Sequence, residues 1–163
     1  TMKKLLLASI LFGVLSAISF PSFAFQTIYI VRHGEKVDES RDPDLSTLGQ
    51  QRAERLAFHL RDAQVARIYV TEFKRTLHTA QKLATANHLT PQIIAGKDIS
   101  KLVEQLQSDN SAALVVGHSN TLPAILKALG MQDVKAVEDN EYDRLVIVDL
   151  SKTSAPIFHV LRY

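Results

Sequence analysis

The stretch "TIYIVRHGEK", residues 27–36, decides how the chain is read. Five residues of strand-forming, mostly apolar character run straight into Arg32, His33 and Gly34. A buried strand that stops on two nitrogen-rich side chains either caps itself at the surface or forms the floor of a site. The same pattern returns late in the chain. "AALVVGH", residues 112–118, is an apolar run that ends on Gly117 and His118. Short apolar runs of this kind, bounded by polar and Gly/Pro segments, read as buried strands.

Between these two lie stretches of helical period. "LSTLGQQRAERLAFHLRD" predicts a helix capped at Ser46 or Thr47, with Leu48, Ala53, Leu56, Ala57 and Leu60 on its apolar face. "ARIYVT" (66–71) is a second strand, "FKRTLHTAQKLATANH" a second helix, and "PQIIAG" (91–96) a weak third strand. "DISKLVEQLQSD" is a third helix; after the 112–118 strand comes a fourth, "TLPAILKALG", with Pro123 in its first turn. "DRLVIVDL" and "APIFHVLRY" close the chain as two strands, a hairpin at the sheet edge. Alternation of strand and helix predicts an α/β fold: a three-layer sandwich with a mostly parallel central sheet and helices on both faces.

The chain has 163 residues, 46% hydrophobic and 22% charged, enough for one domain with a full core. Residues 1–24 have the pattern of a signal peptide: Lys3 and Lys4, an apolar run to about Phe20, then Ser22-Phe23-Ala24 as a small-x-small cleavage site. Residues 25–163 are then a single domain, periplasmic or secreted, with no stable membrane anchor after processing. The formal net charge of +2 falls to balance once Lys3 and Lys4 leave, and there is no dense basic run, so nucleic acid is not an expected partner. The absence of cysteine excludes a disulfide scaffold, a thiolate metal site and a cysteine nucleophile.

In open α/β sheets, sites lie beyond the carboxyl ends of the strands. The reactive residues collect there. Strand one ends in Arg32-His33, strand two leads through Thr71 and Glu72 to Arg75, and the 112–118 strand ends in Gly117-His118-Ser119-Asn120. Two guanidinium groups and two imidazoles suit a phosphoryl dianion: the arginines offer paired donors, and a neutral imidazole is a nucleophile near pH 7. A second imidazole can hydrogen-bond the transferring oxygens. Gly34 and Gly117 are expected to let the backbone approach the anion, and the helix start after Ser119 to offer N–H groups. His59, His78, His88 and His159 lack such surroundings and are assigned to surface or packing, with His78 retained as a candidate for the rim. A zinc site would need a third ligand beside two repelling arginines, and neither metal nor cofactor is expected. Glu35 and Lys36 are expected to line the mouth or to pair with each other. "EDNEYDRL", residues 138–145, reads as an acidic lead-in to a strand that can also face the pocket.

Taken together, "RHGE", "LSTLGQQRA", "TEFKRTLHTA" and "GHSNT" resemble the histidine phosphatase superfamily, in its phosphoglycerate-mutase-like branch with a small, minimal domain. The resemblance implies that His33 is the nucleophile of a phosphohistidine intermediate. It implies that Arg32 and Arg75 clamp the phosphate, that His118 completes the pocket, and that Gly34, Ser119 and Asn120 contribute to phosphate binding. No metal is implied. Larger members carry a glutamate proton donor in a segment that is abbreviated here; Asp98 is the first candidate for that role and Glu72 the second. Mutase-like members often carry an asparagine where this chain has Glu39, a carboxylate expected to turn away from phosphate. The function expected on this basis is an exported, metal-independent phosphatase of phosphate monoesters, acting on a phosphorylated small molecule, an envelope saccharide or a phosphopeptide. The alternatives are a mutase, or a non-catalytic phosphate-binding or envelope-sensing module on the same fold.

Overall fold

The computed structural model describes residues 26–151 and 154–163; the leader expected at 1–24 lies outside them. Ten elements follow in order: β1 (Gln26–Arg32), α1 (Thr47–His59), β2 (Arg67–Val70), α2 (Lys74–Ala86), β3 (Gln92–Ile93), α3 (Ile99–Gln107), β4 (Ala113–Gly117), α4 (Thr121–Ala128), β5 (Arg144–Leu150) and β6 (Ile157–Arg162). They build one six-stranded sheet in the order β3-β2-β4-β1-β5-β6. The β3–β2, β2–β4 and β4–β1 pairs are parallel, while β1–β5 and β5–β6 are antiparallel. The expected α/β sandwich is therefore present, with the closing hairpin at one edge. Among the described residues, no helix is long and apolar enough to cross a membrane.

Strand periodicity sets the layers. Side chains alternate across a strand, so Ile28 and Ile30 of β1 and Ala113 and Val115 of β4 share one face with Leu102 and Leu106 of α3 and Leu122, Ile125 and Leu126 of α4. Val31, Leu114 and Val116 point to the other face, where they meet Leu56 of α1 and Ala80 and Leu83 of α2. Both faces of the central strands are covered, which is why these strands read as continuous apolar runs.

Two local readings change. Leu48, expected on the buried face of α1, is 50% exposed, and Gly49 is buried in its place. The cause is a backbone contact. A Cβ on Gly34 would lie 2.9 Å from the Gly49 carbonyl oxygen, and a Cβ on Gly49 would lie 2.3 Å from that of Glu35. The first turn of α1, capped by Ser46 Oγ accepting from the Gly49 N–H, is pressed directly onto the chain that leaves β1. The expected third strand shrinks to two residues because β3 is a sheet edge whose side chains are both exposed.

Register then places the site. Arg32 lies opposite Gly117 across the β1–β4 pair, and Val70 lies opposite Val116 across β2–β4. The three central strands end level. His33, Thr71 and His118 each stand one residue, or nearly so, past the same rim.

Candidate active site at the carboxyl rim of the central strands

The residue after β1 is held from both sides. The His33 N–H donates to the Gly117 carbonyl at 2.9 Å, tying the end of β1 to β4. The next N–H, that of Gly34, donates to Thr79 Oγ1 at 2.9 Å, and the Thr79 hydroxyl donates to the Arg75 carbonyl at 2.7 Å. Thr76 does the same for β2: its Oγ1 accepts from the Thr71 N–H at 3.1 Å. The two threonines of the "KRTLHT" stretch thus satisfy backbone donors that the ending strands would otherwise bury unpaired.

His33 is 4% exposed, and its Nδ1 lies 2.8 Å from the Gly34 carbonyl oxygen. A carbonyl only accepts, so Nδ1 carries the proton and Nε2 keeps its lone pair. Burial pushes the His33 pKa down to about 3, a fall only partly opposed by the Gly34 hydrogen bond and assisted by His118, Arg75 and Arg32. The ring is neutral at pH 7, with a free nitrogen lone pair. The His118 ring sits edge-on to it at 5.2 Å between centroids. Burial, then Arg75, push the His118 pKa down to about 4, with Glu72 pulling the other way.

The arginines differ in how they are held. One amino group of Arg32, Nη1, donates to the carbonyls of Glu138, Asp139 and Glu141 at 2.9–3.1 Å, and its guanidinium lies 4.1 Å from the Tyr142 ring centroid. Arg75 stacks on Phe73 at 4.3 Å, and its Nη2 reaches His118 Nδ1 at 3.5 Å. Buried Nε of Arg32 and buried Nε and Nη1 of Arg75 have no hydrogen-bond partner in the protein. Unsatisfied buried cationic donors are costly, and an anion between them would satisfy them.

These side chains line a cleft of about 560 Å³. Arg32, Lys36, Arg75 and Lys97 bring positive charge to it, against the carboxylates of Glu72 and Asp139. Ser119 and Asn120 line it as expected, and they are the backbone donors to consider there: the N–H groups of Thr121 and Leu122 already go to the His118 carbonyl. Gly34 does not line the cleft; its N–H belongs to Thr79 and the place of its Cβ to Gly49. The Cβ position of Gly117 likewise points at Thr121 Oγ1, 2.9 Å away, so this glycine admits α4.

The two carboxylate candidates part company. Glu72 lines the cleft, with Oε2 accepting from the Gly96 N–H at 3.0 Å. Its own backbone N–H, helped by that of Gly96, holds its carboxyl below the usual range against the effect of burial. Asp98 is exposed at the N-terminal end of α3 and borders a separate cavity of about 20 Å³ among Ile94, Leu102 and Val115. Glu39 is exposed and ion-paired to Lys36. Glu35 and Lys36 do not pair with each other: Glu35 turns to Arg52, and His78 turns to Asp44 in a different groove.

Sequence reading missed Phe73, Lys97 and Tyr142, and named Thr71 at the end of strand two without giving it a role. Only Phe73 had a local signal, as an aromatic residue directly before the helix that carries Arg75. The 138–145 stretch serves the site chiefly through backbone carbonyls, which no side-chain pattern advertises.

An α/β protein with a cationic cleft and a neutral imidazole at its strand ends is built to receive an anion. Residues 28–96 match the model of the histidine phosphatase superfamily (branch 1). The fold matches the protein histidine phosphatase SixA, solved with tungstate, at a TM-score of 0.70 and 18% identity over 84% of this chain and 97% of that one. It also matches mycobacterial glucosyl-3-phosphoglycerate phosphatase, solved with inorganic phosphate, at a TM-score of 0.68 and 13% identity over 85% and 96%. At such identities the likeness is one of fold. No match was found among curated protein sequences.

Proposed function

We propose that the protein is a metal-independent phosphatase that hydrolyses phosphate monoesters through a phosphohistidine on His33. One observation carries the reading: His33 is fixed by its Nδ1–H bond to Gly34, with Nε2 neutral and free, beside arginine donors that have no protein partner. In the first step a bond forms from Nε2 to phosphorus and the phosphorus–oxygen bond to the alcohol breaks, the leaving oxygen taking a proton. In the second, water attacks phosphorus, the nitrogen–phosphorus bond breaks, and the water proton is taken up. Glu72, the carboxylate in the cleft closest in sequence to Arg75, is assigned that proton traffic ahead of Asp98. Arg32 and Arg75 carry the charge on the phosphoryl oxygens.

The cleft is open and much larger than a phosphate group, which suits a phosphorylated small molecule, an envelope saccharide phosphate or a phosphopeptide. The pattern of residues 1–24 supports export to the periplasm or medium, which cell fractionation with N-terminal sequencing checks. The test of the activity is hydrolysis of a generic phosphomonoester in EDTA, together with acid-labile labelling of the protein by an activated phosphodonor. His33→Ala is expected to lose both; turnover that survives the substitution overturns the assignment.

A further inference from the structure

Around His118, the available donors and acceptors favour one arrangement. Its Nε2 is 2.8 Å from Thr71 Oγ1, which is 3.1 Å from Thr76 Oγ1; the Thr76 hydroxyl in turn donates to the Phe73 carbonyl at 2.8 Å. Two carbonyls lie within reach of the single Thr76 hydrogen, that of Phe73 at 2.8 Å and that of Thr71 at 3.2 Å, which leaves the Thr76 oxygen to accept from the Thr71 hydroxyl. Thr71 Oγ1 must then accept from His118 Nε2–H. The other ring nitrogen agrees: Nδ1 faces Arg75 Nη2, which can only donate. Neutral His118 therefore carries its proton on Nε2, against the wall of the cleft, and presents a lone pair beside Arg75.

A lone pair is the wrong partner for a phosphoryl oxygen. We propose that Thr71 is a positioning residue that locks His118 in this tautomer, so that the cleft binds a tetrahedral dianion only together with one proton, taken up on His118 Nδ1. This rests on the phosphatase reading of the cleft. Once protonated, His118 donates from both nitrogens, to Thr71 and to the anion, and becomes a third cation beside Arg32 and Arg75. In the anion-free protein burial, then Arg75 and Arg32, oppose its protonation, while Glu72 before α2 favours it and His33 at the end of β1 faces it as a neutral ring. Lys97 of the β3–α3 connection also lines the cleft, and the start of α4 presents the uncharged Ser119, Asn120 and Thr121. The incoming dianion tips the balance, and the proton comes from solvent or buffer.

Calorimetric titration of the full chain with sulfate, which brings no proton of its own near neutral pH, tests this in buffers of unlike ionisation enthalpy. The count expected is about one proton more for the unaltered protein than for His118→Gln, whose amide donates without titrating. Any uptake at Glu72 or Asp139 cancels in that difference. The sulfate Kd is expected to rise about tenfold per pH unit more steeply in the unaltered protein, the slope that one coupled proton requires. Thr71→Val frees the ring to donate from Nδ1 while neutral and is expected to lose the coupled proton; Thr71→Ser is expected to restore it. Binding with equal proton counts in the unaltered protein and His118→Gln overturns the inference and leaves the phosphatase reading standing. So does coupling that survives in a folded Thr71→Val. Failure to bind sulfate and inorganic phosphate alike overturns both.

Discussion

Two regions of the molecule use the same residue types to opposite ends. At the corner where the chain leaves β1, Arg52 grips Glu35 through Nε and Nη2 at 2.6–2.9 Å and reaches the Tyr163 main-chain oxygen at 3.1 Å. At the nearby rim Arg32 is buried and Arg75 half-buried, yet neither has a carboxylate partner among the ion pairs of the described residues. In the first region the charge has been answered within the fold, and the result is structure. In the second no carboxylate answers it, and the result is a candidate site. The distinction between a structural and a functional arginine is thus one of accounting for donors, not of residue type or burial.

The sharpest way to break the comparison is to remove one arginine from each region. Arg75→Ala is expected to lower kcat/KM for phosphomonoester hydrolysis on the order of 10³-fold, as loss of a transition-state donor does, with little change in melting temperature. Glu72→Gln is expected to cost on the order of 10²-fold in kcat on esters with poor leaving groups and less on activated ones; Asp98→Asn should leave kcat intact. If Asp98→Asn is the damaging change, the proton donor has been placed on the wrong carboxylate. Gly49→Ala should destabilise by about 2–3 kcal/mol in denaturant melts, because its Cβ meets backbone on a neighbouring segment. Arg52→Ala should do the reverse of Arg75→Ala. It is expected to cost about 1–3 kcal/mol of stability by stranding Glu35, and to leave kcat within a few-fold.

A further test is a slope. His33 and His118 are held neutral in the fold, with pKa values of about 3 and about 4 against an ordinary 6.5. Between those values and 6.5 the unfolded chain binds more protons than the folded one, so stability is lost as pH falls through that window. Thermal melts between pH 6.5 and 4 should show the decline, and it should be reduced in a folded His33→Gln. A melting temperature flat over that interval, in the protein without substitution, contradicts the buried neutral imidazoles. The same values would keep His33 competent as the proposed nucleophile well below pH 6.5, so loss of its basicity should not limit turnover on the acid side of neutral.

Much of the rim was legible because its signals are local. Arg32-His33, Glu72 to Arg75 and Gly117-His118 each sit within a few residues of a recognisable strand end, and a parallel sheet brings such ends to one side. Thr76 and Thr79 stood in the motif, though their role as caps for buried strand N–H groups depends on which strand lies beside which helix. Glu35 was ambiguous because nothing in its own neighbourhood names a partner 17 residues away on α1.

By itself, then, the sequence determined the alternation of elements, the two-faced core and the identity of the four basic residues at the rim, since each follows from periodicity or from chemistry written within one segment. Tertiary structure alone decided the level register of β2, β4 and β1, the hold of residues 138–141 on Arg32 more than 100 residues away, and the tautomer of His118. Those depend on hydrogen bonds between segments that meet only when the sheet has formed, and a hydrogen bond is specified by the position of both partners, of which any one stretch of chain supplies a single member.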